Sequence, residues 1–342
     1  MLVATMISAF PLRAEKIVLV AGGGNDAVGI PASDAKLKEP FGVEFDRAGN
    51  LFIVEMAMGN RLLKVDPKGL ITHIAGSGKA GFSGDGGPAL AAEFNGPHNL
   101  AVLPDGNVLI GDTWAGRVRK VDVQAGTVTS LAGYNVPADK ARGSGPYCIT
   151  LDFTGKKLFI ADLTRVHELD LTSGIARVVA GNGKKGRPED GAVATEAPLV
   201  DPRAVAPDRK GNLYILERGG NALRVVTPDG KIKTVVNASG KKGGTGDGGP
   251  ALEATMNGPK HLCIDLEDNV IIADAESHLI RKFTPKDGQI RRVAGTGKQG
   301  RGTLGGSPLE CDLARPHGVT IHRDGTLYIT DSYNHRILRI VR

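Results

Sequence analysis

Aromatic side chains make up only 4% of this 342-residue chain, and cysteine occurs three times. So few aromatics leave no interleaved stacking platforms of the kind that hold single-stranded nucleic acid. Cys148, Cys263 and Cys311 are too few and too scattered for a disulfide framework, which leaves the redox compartment open. No apolar run reaches eighteen residues, and that excludes a membrane-spanning helix. The start, MLVATMISAFPLRA, pairs an apolar stretch with a small residue where a signal peptide would be cut, but it lacks a basic opening. Residues 1–14 are therefore read as a signal peptide or a disordered start, and the location as periplasmic or extracellular, against cytoplasmic.

Glycine, by contrast, is abundant, with 48 residues. It punctuates short runs of Val, Ile and Leu, each about one strand long and bounded by turn-forming residues. In GPHNLAVLPDGNVLIGDTWAGRVRKVDVQAGTVTSLAG (96–133) four such runs follow one another, and together they read as a four-stranded antiparallel sheet. The unit recurs. Pro40, Pro97, Pro146, Pro202, Pro259 and Pro316 mark equivalent points, with separations, by subtraction, of 57, 49, 56, 57 and 57. A period near fifty with four strands per repeat is the mark of a β-propeller blade, a sheet that buries its faces only by stacking on its neighbours.

The expected fold is thus all-β, one six-bladed propeller over residues 15–342, with blades near 37–78, 95–133, 144–181, 200–238, 257–295 and 314–342. The last blade runs out of chain after three strands. Residues 16–22, KIVLVAG, match the fourth strands LITHIAG and IARVVAG, so the N-terminal strand should complete the C-terminal blade and close the ring. A chain of this size can bury roughly 75% of its unfolded surface and needs no metal or disulfide for stability.

Antiparallel order brings the start of each first strand beside the end of each second strand. The second strands end in Glu55, Asp112, Asp162, Glu217, Asp274 and Asp331, an invariant acidity that suits a scaffold in which carboxylates accept from the N–H groups of the following turn. The residues after the prolines vary instead: Phe41, His98, Tyr147, Arg203, Lys260 and His317. Variation on a fixed frame is how a repeat protein builds a binding site. These six, with Lys184 and Lys241 of the interblade loops, are the expected ligand-binding residues. His98, Arg203, His317 and Tyr147 are the catalytic candidates if there is chemistry.

His98 and His317 could ligate zinc or calcium, with Asp331 or Asp112 completing the set and His261 one residue out of register. The alternative has both imidazoles hydrogen-bonded and no cofactor. Three interblade loops contain G-x-G-x-x-G, but between antiparallel sheets rather than in a βαβ unit, so no dinucleotide site follows. The Pro-Ala-Leu segments after Pro88 and Pro250, and Pro308, read as helical turns opened by proline. Lys79, Lys184, Lys185, Arg187, Lys241, Lys242, Lys298 and Arg301 give these loops a basic character within a net charge of +6, which suits a polyanion such as nucleic acid or an acidic glycan.

The segments PFGVEFDRAGNLFIVE with GNRLLKVD (40–55 and 59–66) and RPHGVTIHRDGTLYITDSYNHRILRI (315–340) resemble the NHL repeat. The resemblance implies a propeller and a binding role. A lyase that cleaves peptidyl-hydroxyglycine, a more distant relative, carries zinc-binding histidines after prolines in alternate blades. His98 and His317 match that pattern, and Arg203 departs from it in the third alternate blade. Glu39-Pro40 matches only part of the Glu-Gly-Pro opening of gluconolactonase propellers. The leading expectation is a monomeric, non-enzymatic propeller that binds a protein, glycan or small molecule at its loop-rich face; the alternative is a metal-assisted hydrolase or lyase centred on His98, Arg203 and His317.

Overall fold

The computed structural model describes residues 14–24, 29–136 and 145–342. The reading of residues 1–14 as a leader therefore lies, except for Ala14, outside the described residues. Six antiparallel sheets follow the six prolines, and in each the first three strands after the proline lie in sequence from the channel outward. The innermost strands are Pro40–Phe45, Asn99–Val102, Cys148–Leu151, Pro202–Pro207, His261–Ile264 and Gly318–Ile321.

The turn between first and second strands shows why the repeats fold alike. In D-x-x-G-N the aspartate accepts from the asparagine N–H four residues on, at 2.8 Å for Asp46, Asp208 and Asp265. The residue before the asparagine must be left-handed: Gly49 has φ +85° and Gly211 φ +83°, while Asp268 takes that position at φ +62°.

Ring closure is as expected. Lys16–Ala21 pairs antiparallel with Arg336–Val341 in one sheet with Leu327–Asp331 and Gly318–Ile321. Buried clusters then run around the ring at the interfaces between blades, and Ile17, at 0% exposure, joins the cluster between blades five and six.

The interblade loops are also part of the core. Counting back from the anchor prolines, positions −8, −5 and −3 hold Ala32, Ala35, Leu37; Ala89, Ala92, Phe94; Ala194, Ala197, Leu199; Ala251, Ala254, Met256; and Pro308, Cys311, Leu313, all buried. The first member of each set accepts the N–H of the residue just after the preceding fourth strand, as in Gly76 to Ala89 and Gly181 to Ala194. Gly76 is left-handed, and a Cβ there would lie 2.4 Å from the carbonyl oxygen of Asn60, so that turn requires glycine.

Having crossed, each described loop lies along the outer edge of the blade it enters. Ile30–Pro31 pairs with Leu70–Ala75, and Gly249–Pro250 with Gln289–Ala294; single bridges join Pro88 to Thr127 and Val193 to Lys231. Gly305 and Gly306 do the same for Ile17 on the closing strand. The glycine-rich loops thus cover sheet edges that would otherwise offer unpaired backbone.

The predicted helical turns are only partly present. Pro308 opens a 3₁₀ turn as expected, with Ser307 accepting from Leu309. Pro88 lies one residue ahead of the turn Ala89–Ala91, and Pro250 belongs to an edge strand. The edge pairing of these loops fixes both prolines in extended backbone. The three cysteines are free thiols, and among the described residues no helix is long and apolar enough to cross a membrane.

Candidate functional site

The second-strand acids have the scaffold role expected of them, but with other partners. Glu55, Asp112, Glu217, Asp274 and Asp331 do not accept the backbone N–H groups of the turn that follows, although Asn334 of that turn donates its side-chain amide to Asp331. Each accepts, at 2.6 to 2.8 Å, the N–H of a residue 17 positions earlier, two before the anchor proline: Lys38, Asn95, Val200, Asn257 and Ala314. Each also meets a third-strand arginine, namely Arg61, Arg119, Arg224, Arg281 or Arg336. Of the six acids, Asp162 alone accepts backbone N–H groups of its own turn, those of Thr164 and Arg165, with His167 in place of the arginine. The acids therefore anchor the incoming loop immediately before it turns into the channel.

That turn is tight. The residue before the proline is left-handed in five blades, at Glu39, Gly96, Asp201, Gly258 and Arg315, with φ between +44° and +58°. Three of the five are not glycine, and the strain is held by the anchored loop around them. The bend delivers the next side chain to the channel mouth. Phe41, His98, Tyr147, Arg203, Lys260 and His317 all line one cavity of about 240 Å³, with Met56, Trp114, Arg218, Tyr333 and His261.

The cavity has two unlike walls. On blades six, one, two and three the rings pack together: Phe41 stacks on His317 at 4.1 Å, Tyr333 stacks on the same imidazole at 5.7 Å, and His98 meets Phe41 and Tyr147 edge-on at 5.3 and 4.9 Å. Blades four and five bring cations. The Arg203 guanidinium lies 3.9 Å over the Tyr147 ring, and its Nε donates to Asp201, which also pairs with Arg218. Lys260 lies 3.8 Å from Glu276, which is more tightly engaged by Arg315. With three cations and no carboxylate among the lining residues, the mouth is electropositive.

Protonation states follow from this arrangement. His98 and His317 each place Nδ1 2.7 Å from a backbone carbonyl, Gly96 and Arg315 respectively, so Nδ1 carries the proton and donates. Burial, with Arg203 and Lys260 nearby, lowers His98 to about 3, and burial with Lys260 nearby takes His317 well below the usual imidazole range. Both are neutral rings with Nε2 as acceptor. Burial and then the neighbouring Arg203 and Arg218 bring Lys260 down to about 8.

The structure does not bring every candidate to this cavity. Asp331 is fully buried and engaged by Ala314 N–H, Asn334 Nδ2 and Arg336 Nε, which turns it away from His98 and His317. Asp112 is similarly occupied by Asn95 and Arg119. Among the described residues no three His, Cys, Asp or Glu side chains are grouped to hold a metal ion. Lys184 and Lys241 are exposed on their loops and do not line the cavity.

His261 is the deepest element. It lines the floor of the mouth cavity and the roof of a second chamber beneath it. Its Nε2 lies 2.9 Å from Asn99 Nδ2, a bond from blade five across the channel to blade two, and Val319 N–H approaches Nδ1 at 3.4 Å. Met56, Trp114, Arg218 and Tyr333 were not anticipated. Each follows a second-strand acid by one or two residues, so the argument that placed the acids at this end of the blade also places them.

Comparison with known proteins agrees with this architecture. The NHL repeat model matches residues 313–340. The chain is 26% identical over 320 residues to the protein SUPPRESSOR OF QUENCHING 1, chloroplastic, of Arabidopsis thaliana, covering 87% of this chain and 30% of that protein. It is 25% identical over 342 residues to NHL repeat-containing protein 2 of Gallus gallus, covering 87% and 46%. The chain thus spans less than half the length of these relatives. A protein of unknown function from Bacteroides thetaiotaomicron superposes with a TM-score of 0.72 at 15% identity, over 96% of this chain and 76% of that one, a likeness of fold. The chain is a six-bladed β-propeller whose closing blade matches the NHL repeat.

Proposed function

We propose that the channel mouth binds a small anionic ligand with a flat or apolar body. The observation that carries this reading is the division of one cavity into a ring-lined wall and a wall of Arg203, Arg218 and Lys260 with no lining carboxylate. A carboxylate or phosphate would face the cations, where a bidentate arginine contact adds both energy and orientation. The ligand body would lie against Phe41, Tyr333 and Trp114, and the two neutral imidazoles would accept hydrogen bonds from its hydroxyl or amide groups. At about 240 Å³ the space is slightly smaller than sites for drug-sized molecules, so the occupant is a metabolite-sized compound. Catalysis by either imidazole is disfavoured by its surroundings: Nδ1 donates to a carbonyl, no carboxylate lies behind the ring, and burial suppresses its basicity.

Titration calorimetry with 3-phenylpropionate and with phenyl phosphate tests this. Saturable binding is expected, with at least tenfold loss in Arg203→Ala or Lys260→Ala and little binding of the neutral 3-phenylpropanol. Because Lys260 is lowered to about 8, affinity should decline as pH rises through 8, where that side chain loses its charge, and the decline should vanish in Lys260→Ala. Equal affinity for the acid and the alcohol would refute the reading.

A second reading, a divalent metal on His98 and His317, is favoured by one observation, the unprotonated Nε2 of both rings. Against it stand the neighbouring cations and the want of a third protein ligand. Metal content of the purified protein, compared with that of a His98→Ala, His317→Ala variant, separates the two.

A further inference from the structure

The second chamber lies at the opposite end of the channel, walled by the innermost strands of all six blades, and has a volume of about 240 Å³. Its electrostatics are the inverse of the mouth's. Of its lining residues only Glu44 carries a carboxyl, and none is lysine or arginine. Most of the other lining side chains are apolar, including Val43, Leu100, Ile149, Ala206, Leu262 and Val319, with polar groups, among them the hydroxyls of Thr150 and Thr320, exposed between them. The His261–Asn99 bond forms its roof.

Glu44 is incompletely satisfied by the protein. Oε1 accepts the Phe45 N–H at 2.9 Å, and Thr320 Oγ1 lies 3.3 Å from each oxygen. Oε2 therefore has only that one long contact and, among the described residues, no lysine or arginine partner, although the His322 imidazole is near enough to favour its charged form. Five of the six second-strand acids, by contrast, pair with an arginine of the third strand. A half-buried carboxylate without a lysine or arginine countercharge is still costly, and desolvation accordingly raises Glu44 to about 6. The rim is also accessible: Phe153, which lines it, is 55% exposed, and the Arg209 stacked on that ring is itself paired with Asp268.

We propose that this chamber is a second binding site, for a small organic ammonium ion whose apolar body fills the chamber and whose charged nitrogen pairs with Glu44. The ammonium donates to Oε2, with Thr320 and Thr150 flanking it, and supplies the countercharge that the walls lack. A dry cavity of about 150 Å³ already admits benzene, so a benzylammonium-sized ligand fits. The propeller would then take an anion at one mouth and a cation at the other, with His261 between them.

Benzylammonium chloride at pH 7.5 is the probe, with calorimetry or ligand-observed NMR on the full chain as the readout. Wild type should show one saturable site. Glu44→Gln, which keeps the Thr320 hydrogen bond, should bind at least tenfold more weakly, and Ala206→Leu, which fills the chamber while leaving Glu44 in place, should abolish binding. Benzyl alcohol should bind at least tenfold more weakly than the amine, whereas Arg203→Ala and Lys260→Ala should bind the amine as wild type does, which keeps this test independent of the mouth site. Thermal melts establish that each variant is folded, and if Glu44→Gln is not, Ala206→Leu and the alcohol comparison still decide. No saturable binding of the amine to wild type, a loss under threefold in Glu44→Gln, undiminished binding to Ala206→Leu, or equal affinity for the alcohol would overturn the proposal.

Discussion

Asp331 and Arg336 illustrate what one of the pairs that recur from blade to blade does in this fold. Both are buried, 2.8 Å apart, and the carboxylate also holds the Ala314 N–H and with it the loop entering the sixth blade. Replacing Arg336 by Leu would leave Asp331 buried without its countercharge, a loss of about 3 to 5 kcal/mol. Urea denaturation is expected to show it, and Arg336→Leu combined with Asp331→Asn should recover part of that loss, because no uncompensated charge then remains. A double variant less stable than Arg336→Leu alone would mean that the anchor depends on the carboxylate's hydrogen bond rather than on the pair. The recurrence of the acids was visible in the sequence, and so was their scaffold role. Their partners were not, because the N–H each one accepts lies 17 residues upstream and the arginine occupies different registers, opposite the acid in blades one and six and two residues further along in blades two, four and five. Nor was the left-handed residue before each proline visible: glycine marks it at Gly96 and Gly258, but Glu39, Asp201 and Arg315 conceal it.

Among elements, the strand Lys16–Ala21 carries the largest consequence. It could be assigned from the sequence because the sixth repeat lacks one strand and the N-terminus supplies a matching one, a length argument that needs no tertiary information. The six post-proline residues could be assigned for a similar reason, since strand direction alone decides which end of a blade they occupy. The alanine ladders of the interblade loops escaped notice because their spacing of three and two belongs to neither helix nor strand, and only the packing of loop against blade gives it meaning. Deleting residues 1–22 should remove Ile17 and Ala21 from the seam between blades and expose the backbone of Arg336–Val341. Burial of the Ile17 side chain alone is worth about 1.5 to 3 kcal/mol, and with the lost ladder the total is several kcal/mol. Thermal melting should register this as a large drop for that truncation and almost none for deletion of residues 1–14. Equal melting of the two truncated chains would contradict closure by this strand.

Across the whole molecule, the channel is a column of ionisable groups largely shielded from water: Lys260 and three neutral imidazoles at and below the mouth, Glu44 at the far end. Such a column ties folding to pH, and His261 gives the cleanest test because it holds the two cavities apart. Burial lowers it to about 4, from 6.5 for an ordinary imidazole. A depressed folded-state value means that its contribution to stability is complete above pH 6.5 and is lost as pH falls through 4, since the unfolded chain takes up the proton first. Over that interval one histidine accounts for about 3 kcal/mol, at about 1.4 kcal/mol per unit. Glu44, Asp112 and Asp274, which burial raises to about 6, 7 and 7, work in the opposite direction, so the total pH profile does not isolate the effect. The difference between wild type and His261→Gln does, because the acids are common to both. Gln can accept the Asn99 amide N–H but cannot titrate. The variant should therefore lose stability relative to wild type at pH 7.5 and regain ground steadily between pH 6.5 and 4, as followed by urea midpoints at each pH; a difference that stays constant across this range would show that His261 is not held neutral between the two cavities.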